Sequence, residues 1–201
     1  IDPQKPSWLT PSVNTLSRQV MQAINKAAAL NPVALTAMIL LSQKNHAIAK
    51  RELASQLDFL LTMQKEVPYS DQLHIPDESG EQFADSVQKL NKVEHRDDSF
   101  GIILSLSNDQ ALEMTYYRNN ILHIFILPAL VCRLLEQYIK ISSSELQQKI
   151  YQIFEIVKPE LFLWQSEQDV ELQVNAILEF MQKAGLCKCS KAGFWTKVDD
   201  S

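Results

Sequence analysis

Only four glycines occur in the 201 residues, at positions 80, 101, 185 and 193. That excludes a glycine-rich phosphate-cradling loop, which needs several glycines close together so that backbone N–H groups can approach the anion. It also weighs against a sheet-rich architecture, whose tight turns lean on glycine for positive φ. Cysteine is scarcer still. Cys132, Cys187 and Cys189 cannot build a disulfide framework, and reduced thiols suit a cytosolic setting. Cys132 lies in an apolar run and reads as a small core residue. Cys187 and Cys189 alternate along an expected strand, so their thiols share a face. A metal site would need two further ligands, and no histidine lies within about sixty residues; no metal and no cofactor are expected.

Long apolar runs are missing as well. The longest, Ile121–Leu135, covers about 15 residues where a membrane span needs roughly 20, and it contains His123 and Arg133. It reads as a core helix. There is no excess of positive charge: 19 Lys and Arg stand against 24 Asp and Glu, for a net charge of −5. Nucleic acid, which attracts a basic footprint, is therefore not an expected partner. No signal-peptide pattern opens the chain. Residues 1–11 read as linker.

What is present is helical periodicity. A first helix is expected over 12–30, with Val13, Leu16, Val20, Ile24 and Ala27 on one stripe. Asn31-Pro32 ends it and opens a second, almost wholly apolar helix over 32–42, with Asn as N-cap and Pro in the first helical position. Residues 43–48 read as loop. A third helix covers 49–65. The proline-containing stretch 66–79 is the longest irregular connection, the kind that is often functional or mobile, and a fourth helix follows over 80–91. Lys92–Arg96 and Phe100–Leu106 flank an acidic turn and predict a β-hairpin. Beyond residue 141, Ser142-x-x-Glu145 predicts a capping box for a helix over 143–157. Glu160–Trp164 predicts one more helical turn. A last helix over 167–184 ends at Gly185, and a second hairpin is expected over 186–198.

The chain is organised around 108–138, read as one central helix capped by Asn108 and kinked near 124–128 by Pro128, which cannot donate its backbone hydrogen bond. Just ahead of its apolar half stand Tyr116, Tyr117, Arg118, Asn119 and Asn120, with His123 one turn on. Successive residues are about 100° apart on a helix, so this cluster cannot face one way. A buried Arg118 would need the Tyr and Asn groups as partners. These six residues are the candidate site, either as a structural network or as a docking surface.

Residues 115–131, TYYRNNILHIFILPALV, resemble the C-terminal part of bacterial membrane-associated glycerol-3-phosphate 1-O-acyltransferases. Residues 20–42, 51–61, 67–70 and 158–164 resemble the same family, and the likeness thins after about residue 165. The family's catalytic residues, a His-x-x-x-x-Asp motif and glycine- and arginine-containing phosphate-binding blocks, have no counterpart here. Five residues after His46, His74, His95 and His123 stand Arg51, Ser79, Phe100 and Pro128. The resemblance therefore implies a non-catalytic C-terminal region. Its expected partner is the catalytic acyltransferase domain of the same protein, and acyl-CoA or acyl carrier protein would be met only through the full enzyme. It further implies a place on the cytoplasmic face of the inner membrane as part of that enzyme, with an inner-membrane lipid surface as a second partner and the fragment itself soluble.

Two segments echo each other: 83–106 and 176–198 both read helix, turn, strand, tight turn, strand. Helices followed by a β-hairpin wing form the winged-helix pattern. The expected fold is mainly α, with two short β-hairpins and two winged-helix-like units over 12–107 and 142–201, joined by a central apolar helix over 108–141. Glu81 and Asp85 against Lys89, and Glu167, Asp169, Glu171 and Glu179 against Lys183, would repel phosphate. These units therefore suit protein contact, and a stand-alone winged-helix-like interaction module is the alternative to an enzyme's accessory region.

Overall fold

The computed structural model describes residues 6–99 and 101–198. The fold is mainly α. Helices α1 (Leu9–Lys26) and α2 (Pro32–Ser42), strand β1 (Ala47–Ala49), and helices α3 (Lys50–Glu66) and α4 (Gly80–Lys89) lead to strands β2 (Glu94–Asp98) and β3 (Gly101–Ser105). Helices α5 (Asn108–Asn119) and α6 (Leu122–Gln137), strand β4 (Ile141–Ser142), and helices α7 (Ser143–Val157) and α8 (Glu167–Lys183) lead to strands β5 (Cys187–Cys189) and β6 (Phe194–Lys197).

Both expected hairpins gain a third strand. β1 and β2 flank β3, and β4 and β5 flank β6, all antiparallel. The added strands are three and two residues long, too short to leave a period-2 pattern in the sequence, and 43–48 is correspondingly not all loop. The echo between the two halves is thus a shared order: helix, strand, two helices, then two strands of which the last pairs in the middle.

Several boundaries differ from expectation for local reasons. α1 starts at Leu9, inside the expected linker. Pro11 sits in its first turn, where an N–H has no helical partner anyway. It ends at Lys26, and Ala29 instead bridges His74 in extended conformation. Asn31 caps α2 as expected, accepting from the Ala34 N–H at 2.9 Å. The cap of α5 is Ser107, not Asn108, because Ser107 and Gln110 close a reciprocal box. Residues 158–162 form a turn, not a helical one, with Phe162 at φ 49°. Cys132 is exposed, and Cys187 is the buried thiol.

The expected central helix is two helices meeting at about 90°, and the break falls at Asn120-Ile121. The Asn120 and Ile121 N–H groups donate three residues back, to Tyr117 and Arg118, closing a tight turn. Pro128 lies inside α6 without ending it. The reason is solvation. The polar run 116–120 belongs at the surface, and Ile121, Ile124, Phe125, Leu127 and Val131 belong in the core, which one straight helix cannot satisfy. α5 packs on α2, while α6 packs on α7, α8 and β6. No single helix among the described residues is long and apolar enough to cross a membrane.

Candidate functional site

The turn between α5 and α6 divides the six candidate residues. Tyr116 and Tyr117 meet edge to face on the surface, with ring centroids 5.8 Å apart. Lys92 pairs with Glu113 and lies over the Tyr117 ring at 5.4 Å, and the Tyr117 hydroxyl donates to Glu113 at 3.4 Å. The Lys92 ammonium beside it holds the Glu113 carboxyl below its usual range. Arg118 is half-buried, and its Nη2 and Nε donate to the Asn119 side-chain oxygen at 3.0 and 3.3 Å. Asn119 is thus the side-chain partner of the Arg118 guanidinium, while Tyr116 and Tyr117 pair with each other.

His123 is the inward member. It is 5% exposed. Its Nε2 lies 3.3 Å from the Asn25 carbonyl, which can only accept, so that ring nitrogen carries the proton and donates. The Tyr69 ring meets the imidazole edge to face at 5.2 Å. Burial pushes the His123 pKa below its usual range, only partly opposed by the Asn25 carbonyl, and the ring is neutral at physiological pH. Burial likewise raises the Tyr69 pKa, and the Trp164 ring also meets Tyr69 edge to face, at 6.2 Å.

These contacts converge on the root of α1, which the sequence did not single out. The Gln22 side-chain amide donates to the Leu163 carbonyl and that of Asn25 to the Leu161 carbonyl, each at 2.8 Å. The Ser70 hydroxyl donates to the Lys26 carbonyl, and the Lys26 ammonium lies 4.2 Å from the centre of the Trp164 ring. The proline-containing connection after α3 is consequently pinned, with Tyr69 and Ser70 buried. Asn119, Asn120 and His123 line a cleft of about 470 Å³ together with Met21 and Ile24 of α1 and the 160–162 turn. Only the break at residue 120 brings them there. Side-chain amides that reach carbonyls more than a hundred residues away leave no spacing signal. The arrangement places amide donors and acceptors beside an apolar wall.

The family described as glycerol-3-phosphate acyltransferase C-terminal region matches residues 1–200. A glycerol-3-phosphate acyltransferase of Colwellia psychrerythraea is 50% identical over 200 residues, covering 100% of this chain and 25% of that protein. Those of Aeromonas hydrophila and Pseudoalteromonas atlantica are 41% and 40% identical, over 96% and 92% of this chain and 24% and 23% of their own lengths. The chain thus spans about a quarter of the relatives it matches.

Proposed function

This chain belongs to the glycerol-3-phosphate acyltransferase C-terminal region family, and from that premise we propose that it is the non-catalytic C-terminal region of such an acyltransferase. In the whole enzyme an acyl group passes from acyl-CoA or acyl carrier protein to the first hydroxyl of glycerol 3-phosphate, an early step of phospholipid synthesis. A histidine elsewhere in the polypeptide serves as general base, oriented by an aspartate. This chain scaffolds that part. The observation that carries the reading is the family match over residues 1–200 in relatives about four times as long.

The chain's own residues support it. His123 is sequestered, neutral and committed to a backbone carbonyl, which suits it to structure. Tyr116, Tyr117, Arg118, Asn119 and Asn120 lie at or near the surface, and we place them at the contact with the catalytic part. We assign the two repeated units to winged-helix-like modules used for protein contact, bounded near 12–107 and 142–201 with 108–141 between them. The assembled enzyme works at the cytoplasmic face of the inner membrane.

The test is an acyl-transfer assay with labelled glycerol 3-phosphate and a long-chain acyl-CoA, run on this chain and on the longer protein that bears it. Turnover by the longer protein, with none by this chain, is the expected result. Turnover by this chain alone would overturn the proposal.

A further inference from the structure

α1 is amphipathic in the reverse sense. Leu9, Val13, Leu16, Val20 and Ile24 recur at helical spacing on one face, and a helix of this kind ordinarily turns such a stripe to its own core. Here no residue of α1 is buried. Val13, Leu16, Val20 and Ile24 are 50%, 61%, 48% and 57% exposed. What faces the body of the protein is the opposite, polar side, through Gln22, Asn25 and Lys26. Those contacts fix the direction of the helix at its root and leave the first three turns, with their apolar face, projecting.

Composition narrows what covers that face. α1 has no acidic residue, and its basic residues are Arg18 and Lys26, the second held over Trp164. The comparably long α3 carries Lys50, Arg51, Glu52, Asp58, Lys65 and Glu66. Helices turned to water carry charge on that side, and helices lying on a bilayer surface carry rows of Lys and Arg. α1 shows Ser12, Asn14, Thr15, Ser17 and Gln19 instead. Small, uncharged polar groups around an apolar stripe fit a helix covered by protein. The stripe also runs through Met21 and Ile24 into the cleft whose far side is Asn119 and Asn120.

We propose that the apolar face of α1 and the cleft at its root seat the preceding portion of the acyltransferase polypeptide. This rests on the function proposed above and names its contact surface. The matched family is the C-terminal region of relatives about four times as long. In such a polypeptide the larger part precedes the counterpart of α1 and is tethered to it, which raises its effective concentration at this face. The surface that seats here is apolar along α1 and offers backbone or amide groups to Asn119 and Asn120.

Hydrogen exchange on the longer protein, without lipid, tests the contact. The amides of residues 9–21 are expected to exchange at least tenfold more slowly than in an exposed helix. Leu16→Glu with Val20→Glu is expected to abolish that protection and to lower kcat/KM at least tenfold. Leu172→Glu, on the exposed side of α8, is expected to change neither beyond twofold. Unprotected amides, or a double variant with parental exchange and activity, would overturn the proposal. So would protection that appears only with vesicles of phosphatidylethanolamine and phosphatidylglycerol, or only at concentrations where the protein self-associates. A parent protein that transfers no acyl group would instead overturn the proposed function, and the exchange data would still judge the contact.

Discussion

At the scale of single residues, His123 shows what burial does to chemistry. Its charged form would lose water and gain no counter-charge, so burial lowers its pKa in the folded state. The unfolded chain then takes up a proton near pH 6.5 that the native protein still refuses. Stability falls as pH drops below that value and is unaffected by this group above it. His123→Gln keeps an amide donor for the Asn25 carbonyl and removes the titration. Urea melts at pH 7 and pH 5 are expected to show a smaller stability loss in the variant than in the parent; equal losses would assign the acid sensitivity elsewhere.

At the scale of elements, the tightest constraint is the crossing of α3 and α4. Gly80 opens α4 behind a Ser79–Gln82 capping box, and its N–H donates to the Asp58 carboxylate at 2.6 Å. A Cβ there would run into the Ala54 carbonyl oxygen and the Asp58 backbone nitrogen, neither of which is the movable tip of a side chain. Gly80→Ala is expected to cost about 1–3 kcal/mol, since the helices must separate. The gain in helix propensity from the same change, roughly 1 kcal/mol, is the smaller effect at a first helical position. A chemical denaturation curve at or above the parent's stability would show that the crossing is looser than it looks.

At the scale of the whole molecule, the two repeated units are tied near the root of α1. Asn25 reaches across to the Leu161 and Phe162 carbonyls, while Gln173 of α8 donates to the Tyr69 carbonyl at 2.9 Å. The first of these ties holds a turn in which Phe162 sits at positive φ, a conformation costing on the order of 1–3 kcal/mol for a side chain of its kind. Asn25→Ala strands the Leu161 carbonyl without this donor and relaxes that turn. A loss of about 1–3 kcal/mol is expected in urea unfolding. A change within about 0.5 kcal/mol, the ordinary range for a surface substitution, would mean that water replaces the amide.

Local features could be read from the residues alone. Asn31-Pro32 and Ser142 start the helices they were expected to start, because a cap needs only its own first turn. The family was also legible, in the run 115–131 and its flanking pieces. Tertiary structure decided the rest. β1 and β4 exist only because β3 and β6 lie beside them. The helix breaks at residue 120, not at Pro128, because surface and core divide the chain there. α1 carries a regular apolar stripe, yet that stripe faces outward. Periodicity says that an apolar face will be covered; which surface covers it depends on contacts between residues far apart in the chain, and no local pattern encodes those.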